Sequence, residues 1–202
     1  MHIAKFSLGD YRTNCYVIHD NGDALVIDPG YESDELLDYL KDNLLTVDAI
    51  YITHGHHDHV GGVKHLKSLY QSKVYAPEKD KIWLGKSSYN RIGYPIPVDH
   101  WVHHGDTFSI AGKTFSVYEA PGHTEGSTAL YMDGHLFSGD TLFFESIGRT
   151  DLPLSNPNAI INSIKRFYQW FDDETMVYPG HGKTTTIKHE KTNNPFVVDQ
   201  SY

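Results

Sequence analysis

The segment 53–59 places His54, His56, Asp58 and His59 directly after an apolar stretch that predicts a β-strand. A chain that leaves a strand in extended geometry sends residues i and i+2 to the same side, so His54 and His56 can bind one ion together. Asp58 and His59 lie where the chain turns into a helix and would point to a neighbouring position. Imidazoles and carboxylates are good ligands for borderline cations such as zinc. The spacing therefore indicates two metal ions rather than one.

Two other kinds of zinc site do not fit this sequence. A helical zinc protease would need the pattern H-E-x-x-H, which does not occur in the chain. A structural zinc finger would need thiolates, and Cys15 is the one cysteine. Cys15 lies in a predicted strand and is interpreted as a buried, inert thiol. We therefore expect an open site with water-accessible positions.

The alternative interpretation is that a histidine-rich loop lies in solvent, because some of the 14 histidines must bind nothing. Imidazole and carboxylate groups recur later in the chain in similar contexts, which favours the metal site. His57 alternates away from His56, and His65 lies on a predicted helix, so both are expected on outer faces.

Length and charge narrow the class of protein. At 202 residues the chain is expected to form one domain. Its apolar runs fall short of the roughly 18 residues that span a membrane, and the N-terminus does not resemble a secretory signal. A single cysteine excludes an internal disulfide, so a cytoplasmic protein is expected. The formal net charge of -9 argues against a nucleic-acid partner, which would need clustered lysine and arginine.

The first half of the chain predicts α/β alternation. Ser33 is expected to cap a helix with Leu36, Leu37, Leu40 and Leu44 on one face. A second helix carries apolar residues at helical spacing, namely Val63, Leu66, Leu69 and Tyr70. Strands are expected at 3–8, 14–19, 24–27, 49–53 and 74–76.

The second half predicts hairpins followed by a helix and a closing strand. The hairpin strands are expected at 107–110, 114–119, 127–132 and 135–138. The helix is expected over 157–171, with Pro157 in its first turn, and the last strand over 175–178. The two halves are compatible with two sheets packed face to face and covered by helices.

Three later segments end a predicted strand with a glycine followed directly by a candidate ligand. They are Gly122-His123, Gly139-Asp140 and Gly180-His181. Glycine permits the sharp bend that aims a side chain inward at the end of a strand. With the first cluster these segments supply seven candidate ligands, a number that fits two ions sharing a bridging carboxylate.

The motifs T-H-x-H-x-D-H, P-G-H-T, S-G-D-T and P-G-H-G resemble those of the metallo-β-lactamase superfamily. Within it, G-D-T-L-F, I-G-R-T-D-L-P and the segment 185–196 resemble the short glyoxalase II-like hydrolases. This resemblance implies an α/β fold of the αββα sandwich type, in which two mixed sheets are flanked by helices and residues 1–202 form a single domain. It also implies two ligand sets bridged by Asp140: His54, His56 and His123 for one metal, and Asp58, His59 and His181 for the other.

The activity implied by the resemblance is a binuclear metal-dependent thioesterase that cleaves S-(2-hydroxyacyl) thiol esters. A hydroxide shared by two divalent ions would attack the thioester carbonyl, and Asp58 could orient it. Zinc is the expected ion, with iron or manganese as alternatives. The expected partner is a small-molecule thioester, and a homodimer is left open.

Two competing functions belong to the same fold. A persulfide dioxygenase has a similar G-R-T-D segment but uses one iron held by two histidines and an aspartate. A catalytically silent metal-binding sensor could also keep the site. The expected two-metal ligand set counts against both.

Some features depart from the resemblance or allow two interpretations. The helical C-terminal domain of full-length glyoxalase II is expected to be absent, because the sequence stops at Tyr202, so the thiol carrier is left open. The stretch 86–104 is where substrate preference could be encoded. Asp28 either orients a metal-bound imidazole or serves a plain turn. Arg149 either binds a substrate carboxylate or pairs with Asp151.

Overall fold

The computed structural model describes residues 1–197, and residues 198–202 of the predicted domain lie outside the described range. The first sheet contains six strands in chain order: β1 (His2–Leu8), β2 (Thr13–Asp20), β3 (Asp23–Ile27), β4 (Thr46–Tyr51), β5 (Lys73–Pro77) and β6 (His100–Val102). The first three strands are antiparallel, and β3 to β6 run parallel. This sheet is therefore mixed.

The remaining strands build a second mixed sheet and a small hairpin. They are β7 (Thr107–Ile110), β8 (Lys113–Glu119), β9 (Thr128–Met132), β10 (His135–Gly139), β11 (Leu142–Phe143), β12 (Ser146–Ile147), β13 (Met176–Pro179) and β14 (Thr185–Thr186). The second sheet has the order β14-β13-β10-β9-β8-β7, in which β10 and β13 are parallel. Among the described residues, strands β11 and β12 pair only with each other.

Within residues 1–197, six α-helices connect or cover the sheets. They are α1 (Asp34–Asp42), α2 (His57–Val60), α3 (Val63–Tyr70), α4 (Lys81–Leu84), α5 (Pro157–Trp170) and α6 (Ile187–Asn193). A short 3-10 turn, Glu78–Asp80, precedes α4. No helix within residues 1–197 is long and apolar enough to cross a membrane.

Alternation along the strands divides the core into layers. In β2, Tyr16 and Ile18 face the second sheet, where they join Phe115 and Leu130. Because successive side chains of a strand point to opposite faces, the intervening residues of β2 turn to the other side. There Val17 packs with the buried residues of α1 and α3. The outer face of the second sheet is covered by α5 through Ile160, Ile164 and Phe167. The order helix, sheet, sheet, helix confirms the predicted αββα sandwich.

The predicted helix starts are confirmed, whereas one helix end was wrong. The Ser33 hydroxyl accepts the N–H of Leu36, and the Asn156 side chain accepts the N–H groups of Asn158 and Ala159. Leu44 was expected on one face of the helix with Leu36, Leu37 and Leu40, but the helix stops at Asp42 and Leu44 is 86% exposed. Its backbone is left-handed, with φ of 53°, so the chain has already turned away from the helix axis. Leu69 lies in α3 as predicted, and its side chain is exposed.

Candidate metal centre

The seven predicted ligand residues come together although they span residues 54 to 181. His54 and His56 follow β4, and Asp58 and His59 lie in α2. The other three follow strands of the second sheet: His123 after β8, Asp140 after β10 and His181 after β13. The two sheets therefore contribute jointly to one cluster.

Three histidines form the first group. One ring nitrogen from each of His54, His56 and His123 lies within 4.8 Å of the others. The tightest approach is 2.8 Å, between Nδ1 of His56 and Nε2 of His123. Three imidazole nitrogens at this spacing can share one cation.

The second group combines a carboxylate with two imidazoles. Ligand atoms of Asp58, His59 and His181 also lie within 4.8 Å of one another. Oδ2 of Asp58 is 3.4 Å from Nε2 of His181 and 3.6 Å from Nε2 of His59. The hydroxyl of Thr13 donates to the same oxygen at 3.1 Å and helps to fix the carboxylate.

The carboxylate of Asp140 lies between the two groups. Its Oδ2 is 3.5 Å from Nε2 of His123 in the first group and 3.4 Å from Nε2 of His181 in the second. Its Oδ1 is 3.4 Å from Nε2 of His59. A carboxylate in this position can contribute to both groups at once.

Unpaired polar atoms show that the cluster fits cations. Among the described residues, five buried side-chain nitrogen or oxygen atoms have no hydrogen-bond partner, and three of them belong to this cluster: His54 Nε2, His59 Nε2 and Asp140 Oδ1. Burying a polar atom without a partner is costly, and a cation bound by these atoms would remove that cost. The mixed nitrogen and oxygen donors suit zinc, iron or manganese.

The rings of four histidines are held through Nδ1, which leaves Nε2 directed to the cluster. Nδ1 of His59 is 2.8 Å from Oδ2 of Asp28, and Nδ1 of His54 is 3.1 Å from the Thr53 hydroxyl. Nδ1 of His123 and of His181 contact backbone carbonyls, those of Arg149 at 2.9 Å and of Tyr11 at 3.1 Å. Such contacts fix ring orientation and tautomer in metal sites.

The charges of the metal-free cluster separate into two kinds. Burial lowers the pKa of His54 well below its usual value, and burial with nearby His123 lowers the pKa of His56 to about 3, so both imidazoles are neutral. Burial also acts against a charged His181, but Asp140 and Asp58 outweigh it and raise its pKa to about 9. Burial also opposes a charged His59, but Asp140 and Asp28 outweigh it and raise the pKa of His59 well above its usual value. The second group therefore carries protons where cations would bind.

Two residues with alternative interpretations are placed by the structure. Asp28 is buried and contacts His59 directly, and it also occupies a left-handed turn with φ of 49°. Asp28 therefore occupies a turn and contacts a candidate ligand, and its role in orienting a metal-bound imidazole stays a prediction. The side chain of Arg149 forms two 2.9 Å contacts with Asp151, and both residues are exposed. This arrangement fits the interpretation that Arg149 pairs with Asp151. The backbone carbonyl of Arg149 separately contacts Nδ1 of His123.

Sequence reasoning missed two residues beside the first group. Asp80 is buried and accepts hydrogen bonds from the loops that carry His56 and His123. Burial raises its pKa to about 6, although the hydrogen bonds oppose that shift. The Trp83 ring stands 4.6 Å from the ring of His56. The available signal was the position of Asp80 just after β5, whose carboxyl end lies at the same edge of the parallel strands as that of β4.

The first part of the stretch 86–104 lines a cavity. A cavity of about 380 Å³ is lined by Gly85, Lys86, Ser87, Asn90, Gly93, Tyr94 and Pro95. None of the seven candidate ligands is among these lining residues. The predicted link between this stretch and substrate preference stays a prediction.

Two curated proteins are similar to this chain over nearly its whole length. The hydroxyacylglutathione hydrolase GloC of Haemophilus influenzae is 32% identical over all of both chains. The probable metallo-hydrolase YqgX of Bacillus subtilis is 32% identical over 96% of each chain.

Three solved structures are similar to this chain in both sequence and fold. BLEG-1, a B3 metallo-β-lactamase, is 36% identical with a TM-score of 0.90 and covers 98% of this chain and 100% of its own. ETHE1 from Myxococcus xanthus is 30% identical with a TM-score of 0.84, and the match covers 98% of this chain and 84% of that one. TTHA1623, solved in a di-iron-bound form, is 34% identical with a TM-score of 0.85, and the match covers 96% of this chain and 99% of that one. Residues 8–181 match the family described as the metallo-β-lactamase superfamily. The chain belongs to the metallo-β-lactamase superfamily.

Proposed function

We propose that this protein is a binuclear metal-dependent hydrolase that cleaves S-(2-hydroxyacyl) thiol esters. Its relatives named as metallo-hydrolases support metal-dependent hydrolysis, and the name of the GloC relative supports the substrate class. The observation that carries the proposal is the position of Asp140, whose Oδ2 lies 3.5 Å from His123 and 3.4 Å from His181. That position is the one a bridging ligand between two ions requires.

The second ligand group favours the hydrolase over the mononuclear dioxygenase. An enzyme that uses one iron bound by two histidines and an aspartate does not need Asp58, His59 and His181 held as a group. Here the ligand atoms of these three residues lie within 4.8 Å of one another. Persulfide oxidation, the reaction of the competing mononuclear iron enzyme, is the activity against which the proposal is tested.

The proposed roles follow from the contacts. His54, His56 and His123 would bind one ion, Asp58, His59 and His181 the other, and Asp140 both. Divalent ions bound there would lower the pKa of water towards 7 and polarise the thioester carbonyl. Asp58, held by Thr13, would accept a hydrogen bond from the attacking water and orient it. Trp83 beside His56 and Phe143 beside His181 provide apolar surface at the two sides of the cluster.

Nucleophilic catalysis by the thiol of the chain does not compete with this mechanism. Cys15 is buried within β2, and burial raises the pKa of its thiol well above the usual value. A thiolate leaving group also departs without strong acid assistance, so the cluster needs no dedicated proton donor.

The test compares three classes of substrate with two preparations of the protein, one loaded with zinc and one loaded with iron. Zinc-loaded protein is given a panel of S-(2-hydroxyacyl) thioesters, including glutathione and smaller thiols, and the released thiol is measured without oxygen. We expect thiol release that a chelator abolishes and that Asp140→Ala lacks, together with weak or no hydrolysis of β-lactams. Iron-dependent oxygen uptake with a persulfide, and no thioester cleavage, would assign the protein to the dioxygenases instead.

A further inference from the structure

Asp80 is a fully buried carboxylate located between two loops of the metal centre. Its exposed fraction is 0%. Oδ2 accepts the N–H of Gly55 at 2.7 Å and the hydroxyl of Thr124 at 2.8 Å, and Oδ1 accepts the N–H of Gly126 at 2.9 Å. Gly55 separates His54 from His56, and Thr124 directly follows His123. One side chain thus contacts both loops that carry the first ligand group.

The partners of Asp80 are all hydrogen-bond donors. Two are backbone N–H groups, and the third is a hydroxyl that donates. An ionised carboxylate accepts only, so it satisfies all three donors, whereas an amide would turn its own NH2 group towards one of them. The contacts are therefore specific for a carboxylate and not merely for a side chain of this size.

The two loops approach Asp80 so closely that glycine is needed. A Cβ on Gly126 would lie 2.5 Å from Oδ1 of Asp80. A Cβ on Gly55 would lie 2.4 Å from the Cβ of Trp83 and 3.3 Å from that of Asp80. The backbone of each loop is thus seated directly on the segment that carries Asp80.

We infer that Asp80 is a positioning residue for the ligand group His54, His56 and His123. The first two histidines follow β4 of the first sheet, and His123 follows β8 of the second. The loops are joined at a second point, where the N–H and hydroxyl of Thr128 donate to the Thr53 carbonyl at 2.9 and 3.0 Å. Asp80 adds the link beside Gly55, where the 2.8 Å approach of His56 to His123 is set.

The inference rests on the proposed function only in taking these three histidines as metal ligands. Its test therefore measures zinc binding and not thioester turnover. Metal-free protein is titrated with zinc in competition with a chromophoric chelator, and its thermal unfolding is recorded with and without zinc. Asp80→Asn is expected to weaken one of two binding steps by about 10- to 100-fold and to leave the other unchanged.

Glu190 provides a matched control because it is another fully buried carboxylate with three donors. It accepts from the Glu145 N–H at 3.0 Å, the Thr185 hydroxyl at 2.6 Å and the Asn194 amide at 2.9 Å. Glu190→Gln is expected to lower the Tm of the metal-free protein as Asp80→Asn does, and to keep the zinc affinity of the first group. Equal losses of affinity in the two variants would reduce Asp80 to a general structural role and overturn the inference.

A second pair of variants carries the test if Asp80→Asn does not fold. Thr124→Val removes one donor to Asp80 and nearly preserves shape, whereas Thr124→Ser keeps the hydroxyl. We expect a several-fold loss of zinc affinity for the valine variant and near wild-type affinity for the serine variant. Unchanged affinity in Thr124→Val would overturn the inference. If the wild-type chain itself binds no zinc, the proposed function fails first, and the two failures remain distinct.

Discussion

Nδ1 of His59 lies 2.8 Å from Oδ2 of Asp28, and both side chains are buried. The same carboxylate accepts the Thr53 hydroxyl at 2.6 Å and the Thr53 N–H at 2.8 Å. The Thr53 hydroxyl, having donated to Asp28, can accept Nδ1–H of His54. One aspartate therefore orients rings in both ligand groups, directly for His59 and through Thr53 for His54.

Asp28→Asn is expected to weaken zinc binding in both groups, each by about 10- to 100-fold, because an amide cannot accept from His59 and both Thr53 donors. Competition with a chelator measures both affinities. Asp133→Asn, in an exposed hairpin turn, is the control and should match the wild type. Unchanged affinities in Asp28→Asn would show that the contact with His59 does not affect metal binding.

Removal of Asp140 and of His181 should affect metal content differently. Asp140→Ala is expected to weaken the binding of both ions, because the Asp140 carboxylate lies near ligands of each group. His181→Ala should empty the second position and leave His54, His56 and His123 with one ion. Elemental analysis after dialysis gives the stoichiometry, with about two ions expected for the wild type. Two ions and full activity in His181→Ala would show that the assignment of His181 is wrong.

Gly180→Ala is expected to abolish metal binding through a clash. A Cβ at this position would lie 2.1 Å from Oδ1 of Asp140 and 2.8 Å from Cε1 of His59. Gly182→Ala is the control two residues away: its Cβ would meet nothing within 4 Å, but its φ of +78° strains an L side chain. We expect Gly182→Ala to lower Tm and retain zinc, and Gly180→Ala to lose zinc. The reverse result would contradict the described packing.

Metal binding should release protons from the second group. In the metal-free protein the pKa of His181 is about 9, so at pH 7 an ion that binds there must displace its proton. Affinity at this position should therefore rise with pH up to about 9, by about tenfold per unit for each proton displaced. His54 and His56 are already neutral and should contribute no such slope. Calorimetry in buffers of different ionisation enthalpy counts the protons; none released at pH 7 would refute the prediction.

Local patterns predicted most of the fold because each carries its own physical cause. Ser33 caps α1 through a bond within its own first turn, and Pro157 lies in the first turn of α5, so a short window of sequence contains the information. The end of α1 was not predicted, because helical spacing continues to Leu44 while the chain turns two residues after Asp42.

The candidate site also contains residues that the sequence predicted and residues that it did not. His123 and His181 could be recognised because each follows a strand and a glycine. Asp80 was missed although it follows β5, because its partners include the N–H groups of glycines 25 and 46 residues away and no local motif marks them. The carbonyls that orient His123 and His181 belong to Arg149 and Tyr11, and any residue type could supply them. Contacts of this kind become visible only when the two sheets are in place.

Neither sheet holds a whole ligand group, and this has a consequence for folding. Each group joins residues that follow β4 to a histidine that follows a strand of the other sheet. An ion that binds only the completed arrangement acts as a clamp between the halves of the sandwich and adds about 4 kcal/mol of stability when free ion exceeds its Kd a thousandfold. Metal supply would then govern how long the chain survives proteolysis as well as how fast it turns over substrate.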